Sequence, residues 1–112
     1  METTYEITVE IGGYVKSQER EIRKACMVEW GFRDDDFEYV PATCGRKRLL
    51  QASALSSVYD GEDVEDTVSR IEHAVWRANG GMCHVQCHVL KMREVGGCRV
   101  LTPCEEADSL VA

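Results

Sequence analysis

The sequence predicts an α+β fold, an antiparallel sheet with two helices on one of its faces, and three observations carry that prediction. Apolar and polar residues alternate from Thr4 to Ile11 and again from Met82 onward, which is the period of a half-buried strand. Val64, Val68, Ile71, Val75 and Ala78 recur instead at spacings of three and four, the stripe of an amphipathic helix. Glycine pairs at 12–13, 80–81 and 96–97 fall where one pattern gives way to the next. At 112 residues, the chain suits one core of ordinary size.

Taken in order, Tyr5, Ile7, Val9 and Ile11 share one face of the first strand, and Thr4, Glu6, Thr8 and Glu10 share the other. Gly12-Gly13 ends it. Ser17 is then the expected N-cap of a helix that runs to about Trp30, with Ile22, Ala25, Cys26 and Glu29 on one face and Gly31 as its stop. Asp34-Asp35-Asp36 makes a polar connection to a second strand, Phe37 to Ala42, whose Pro41 suggests a sheet edge. Cys44-Gly45-Arg46-Lys47 reads as a hairpin turn, and Arg48 to Tyr59 as the returning strand, of weak alternation and open register. Asp60-Gly61 stops that strand, and the second helix spans Glu62 to Asn79. From Met82 to Val95 the chain is a strand with Cys83, Val85, Cys87 and Val89 on one face and His84, Gln86 and His88 on the other. Gly96-Gly97 then allows Cys98 to Thr102 to pair back, with Glu94 opposite Arg99 and Met92 opposite Leu101.

Strand, helix, strand, strand, helix, strand is an order that resembles the ferredoxin-like βαββαβ superfold, over residues 4 to 95, with a possible fifth strand at the C-terminal end. Residues 1–102 are then a single domain and 103–112 an acidic tail. The superfold carries no function by itself. RNA-recognition domains share the order, but their base-stacking aromatic residues have no counterpart among Thr4, Glu6, Thr8 and Glu10 or in the segment Arg48 to Leu55. Metal-carrying domains of this kind use Cys-x-x-Cys after the first strand, where Gly12-Gly13-Tyr14-Val15 stands instead.

The six cysteines include no Cys-x-x-Cys pair, and no apolar run approaches the roughly 20 residues of a membrane span. With an acidic, alternating N-terminal segment unlike a signal peptide, the expectation is a cytoplasmic protein with reduced thiols. Cys83-His84-x-x-Cys87-His88 would offer zinc ligands on a helix, but on a strand residues four apart stand roughly 13 Å from each other. Cys83 and Cys87 therefore read as small core residues. His84 and His88 share the open face with Glu6 and Glu10, so a histidine-glutamate pair there could hold a metal ion or make binding depend on pH. No nucleophile, base and orienting group converge in a recognisable motif, and the expectation is a protein that is not an enzyme and needs no cofactor.

Twenty acidic against thirteen basic residues give a net charge of -7, which argues against direct nucleic-acid binding. Nine of the twenty fall in two segments: Asp34, Asp35, Asp36 and Glu38, then Asp60, Glu62, Asp63, Glu65 and Asp66. In the ferredoxin-like arrangement both connections lie at one end of the sheet, forming an acidic pole opposite Lys16 and Arg46-Lys47-Arg48. Helix polarity accounts for the second cluster but not for such a coincidence. The pole predicts a protein partner with a basic surface. Leu90 and Met92, joined by Leu101, fall on the wet parity, so either a bulge turns them inward or they form an apolar patch for a partner or a second copy. The functional expectation is a small protein-binding module, an inhibitor or regulator that offers carboxylates to a nucleic-acid-handling complex in place of phosphates. In size and charge the chain is similar to small acidic phage-encoded inhibitors, including anti-CRISPR proteins. A ligand- or metal-sensing domain using the open sheet face is the alternative.

Overall fold

A computed structural model describes residues 2–40, 49–59 and 61–103, and for Glu2 and Tyr59 the backbone alone. Five strands, β1 (Glu2–Gly12), β2 (Glu38–Val40), β3 (Leu49–Tyr59), β4 (His84–Val95) and β5 (Cys98–Pro103), form one antiparallel sheet in the order β2-β3-β1-β4-β5. Two helices, α1 (Glu19–Glu29) and α2 (Val64–Asn79), complete the α+β architecture.

The alternation in β1 does what its period dictates. Ile7, Val9 and Ile11 are fully buried, as are Ile22 of α1 and Ile71 and Val75 of α2. Register extends this layer sideways, with Ile7, Val9 and Ile11 opposite Ala54, Ala52 and Leu50 on β3 and opposite Val89, Cys87 and Val85 on β4. One core results, closed at its end by Trp30, Phe32 and Phe37. Trp30 donates its indole N–H to the Ala54 carbonyl at 2.9 Å, and Trp76 donates to that of Cys83 at 2.9 Å, so the buried ring of Trp30 and the half-buried ring of Trp76 both keep a hydrogen bond.

Several boundaries differ from the sequence expectation. Ser17 is not an N-cap: it sits inside a 3-10 turn, Lys16–Gln18, and α1 begins after Gln18. The entry is set from a distance, because the Val15 N–H donates to Asn79 Oδ1 at 2.7 Å, a contact 64 positions away that no local pattern reveals. Gly31 is not a left-handed helix stop either. Trp30 is extended, and Gly31 serves close approach, since a Cβ there would stand 3.3 Å from the Leu55 carbonyl oxygen. At α2 the rules hold better: Asp63 caps the helix through Glu65 N–H at 3.2 Å, and Gly80 ends it with φ 79°. The second helix therefore starts at Val64, not Glu62. Strand β2 begins at Glu38, one residue later than expected, and lies at an edge of the described sheet; Pro41 and Ala42 lie outside the described residues. The expected turn at Cys44 to Lys47 and the acidic tail beyond Pro103 lie outside the described residues.

Candidate functional site

Both helices pack on the Ile7–Val9–Ile11 side, and among the described residues no helix covers the other side of the sheet. Register lays out that open face in rows. Glu38, Gln51, Glu10 and Gln86 form one, and Ser53, Thr8 and His88 the next. Then come Leu55, Glu6, Leu90 and Pro103, and beyond them Met92 opposite Leu101. Hydroxyls pair across strands, Thr8 with Ser53 at 2.7 Å and Thr4 with Ser57 at 3.1 Å. The face thus passes from polar, at the β2 side and upper rows, to apolar toward β5.

Leu90, Met92 and Leu101 belong to this face. The pairing of β4 is continuous from His84 to Val95, so no bulge turns them inward, and Leu101 is 37% exposed. Leu55, 52% exposed, extends the patch across Glu6 and was not singled out from sequence. Its parity becomes legible only once the register of β3 is known.

The histidine-glutamate quartet is only partly assembled. His84 stands level with Gly12 and Glu6 with Leu90, so the four are strung over six residues of β4, about 20 Å. Only His88 and Glu10 meet, Nε2 to Oε1 at 3.1 Å. Among the described residues no group of three His, Cys, Asp or Glu side chains is gathered closely enough for a metal ion. His88 and Glu10 remain a polar pair that joins β4 to β1 on the open face.

The acidic segments do not make one pole. Glu38 pairs with Gln51, whereas Glu62 borders a recess with Ser56, Ser57 and Val58, six residues further along β3 and about 20 Å away. The reason is the connection after α1, which does not stay at the end of the sheet. It climbs the exposed flank of β3, where Arg33 and Asp36 border a shallow recess with Glu6, Ser53 and Leu55. What forms is a ridge along the β3 side of the molecule, with Glu62 at its foot beside the helices, Asp36 midway and Glu38 at its upper end. Some of these carboxylates hold structure: Asp36 accepts the Arg33 N–H at 2.8 Å, Asp34 lies 3.9 Å from Arg23, and Asp63 caps α2. Asp35 is exposed on the ridge, Glu65 and Asp66 stand in the first turn of α2, and Asp60 lies outside the described residues.

One cluster escaped the sequence reading. Glu19 accepts hydrogen bonds from Tyr39 at 2.6 Å, Tyr14 at 2.7 Å and Arg23 at 3.2 Å, tying β2 and the loop after β1 to α1. Burial disfavours its charge, but the two phenol hydroxyls and the Arg23 guanidinium together outweigh this and hold the carboxyl below its ordinary range. The available sequence signal was the i, i+4 spacing of Glu19 and Arg23. Burial pushes the Cys26 and Cys87 thiols up to about 12, with a neighbouring thiol adding to each.

The chain matches no protein-family model, no curated protein and no solved structure. Among the described residues no helix is long and apolar enough to cross a membrane.

Proposed function

We propose that the protein is a non-enzymatic docking module that binds, through its open sheet face and acidic margin, a partner with a basic surface. The same reading takes β1 to β4 with α1 and α2 as a ferredoxin-like unit to which β5 has been added, supported by the order β2-β3-β1-β4 in the inner sheet. The observation that carries the docking reading is the seating of Glu6 between Leu55 and Leu90, with Glu10 two rows above and Asp36 and Glu38 along the margin. Apolar side chains beside carboxylates suit a protein surface that is itself part apolar and part basic. A nucleic-acid-handling protein has such a surface where it grips phosphates, and inhibition by occupancy is the action that follows.

The test is affinity capture with the wild-type protein and with a variant carrying Glu6→Lys, Glu10→Lys, Asp35→Lys and Glu38→Lys, none of which caps a helix. A basic partner is expected to be retained by the wild type, released by heparin and by raised salt, and lost from the variant. A partner held equally by both, and indifferent to salt, would overturn the reading.

A further inference from the structure

We propose that β5 pairs antiparallel with β5 of a second copy about a two-fold axis at Leu101, joining two sheets into one. The inference rests on other observations than the docking reading does, namely the backbone and register of the β5 edge, although Met92 and Leu101 belong to the open face which that reading uses.

Gly96 and Gly97, at φ 58° and 82°, form the two-residue turn that joins β4 to β5. In such a hairpin Val95 and Cys98, flanking the turn, exchange both backbone hydrogen bonds, and bonded pairs then alternate along the ladder. Arg99, Leu101 and Pro103 consequently turn their backbone groups away from β4, toward the free edge. Pro103 fits this assignment, since its missing N–H falls where β4 asks for none.

The hairpin also lacks support. Strand β1 pairs with β4 only as far as Lys91, whereas β5 pairs with Leu90 to Val95, so most of the hairpin extends past the sheet as a two-stranded ribbon. Val95 is 59% exposed on it, Val100 38% and Leu101 37%. A two-stranded ribbon is marginal in water, and an edge that pairs with no described strand and carries apolar side chains is a template for another strand.

Three features point to a second copy as that strand. About an axis at Leu101, each Leu101 N–H meets the Leu101 carbonyl of the other copy, and each Arg99 N–H meets a Pro103 carbonyl. The paired Met92 and Leu101 then meet their own image, producing a continuous apolar row across the junction. Finally, Pro103 of one copy arrives beside Arg99 of the other, and Glu105, Glu106 and Asp108, which follow Pro103 in sequence, are opposite in charge to Arg99. Backbone and apolar matching coincide in one register, as an isologous interface requires.

Sedimentation equilibrium combined with amide hydrogen exchange at low and high protein concentration tests this. A reversible dimer is expected, in which protection of the Arg99 and Leu101 amides rises at least about tenfold with concentration while Val100 and Thr102, bonded to β4, change little. Leu101→Lys should be monomeric with an unchanged circular dichroism spectrum, and reversing Glu105 and Glu106 to Lys should weaken the dimer. A protein monomeric at every concentration, or a dimer whose Arg99 and Leu101 amides stay unprotected, overturns the proposal. The exchange measurement uses wild-type protein, so it decides even where a variant fails to fold.

Discussion

The two faces of this sheet are built from alternate residues of the same strands, yet they obey different physics. On the covered face Ile7, Val9 and Ile11 are out of reach of water; one residue away, Thr8 and Glu10 pair with Ser53 and His88 at the surface. A covered position is answerable to packing, so its side chain is fixed by volume and apolarity. An open position is answerable only to what comes from outside, and it is there that carboxylates, hydroxyls and exposed leucines can stand together.

Thiol chemistry should separate the two environments most widely. Cys87 lies on the covered face and Cys26 on α1 beneath it, both with thiols pushed up to about 12, whereas Cys98 is exposed on the ribbon. At pH 8 a thiol of that kind is thiolate about one part in ten thousand, and the thiolate is what an alkylating agent attacks. With a maleimide on native protein and peptide mapping by mass spectrometry, Cys98 is expected to react at least about a hundredfold faster than Cys26 or Cys87. Equal rates would mean that the covered face opens readily to solvent.

Packing gives the next largest contrast. Ile7→Ala empties a fully buried site between β3 and β4 and should cost about 3–4 kcal/mol. Thr8→Ala, one residue on, removes a hydroxyl pair that water can replace and should cost under about 1 kcal/mol. Urea denaturation measures both. Comparable losses would show that the open face is not free of structural duty and could not be redrawn for recognition.

How much of this was readable beforehand follows from where the information sits. Strands with strict alternation, such as Tyr5 to Ile11, declare their covered face directly, and the helical stripe of Val64 to Val75 does the same. Gly96-Gly97 fixed the pairing of Glu94 with Arg99 and Met92 with Leu101, because a two-residue turn leaves one register. The path of the chain after α1 was not readable. Nothing in Gly31 to Phe37 says that the segment climbs β3 instead of staying at the end of the sheet, and the acidic pole was lost with that path. Leu55 and the Glu19 cluster were missed for a related reason: each is assembled from segments distant in sequence, through a register or a loop contact that no local period encodes.

The contrast between the faces is sharpest in the middle of the sheet and changes character at the β2 edge. There Tyr39, opposite Leu50 on the covered side, donates its phenol hydroxyl to Glu19 at 2.6 Å, with Arg23 lying 5.9 Å from the centre of its ring. Hydrogen bonds to a charged acceptor do here what packing does further in, and Glu19→Ala should cost about 2 kcal/mol. The pH dependence follows in sign from the lowered pKa of Glu19. Between the folded value and the higher unfolded one, the unfolded chain binds more protons, so stability rises with pH there. The contribution of the Glu19 charge is therefore complete above the unfolded value of about 4.3 and is lost as pH falls through the folded one. The stability difference between wild type and Glu19→Gln, measured by urea denaturation, should be constant near neutrality and shrink below about pH 4. A difference that does not change down to pH 3 would assign the edge to the shape of the side chain and not to its charge, and the covered face would then be held by packing throughout.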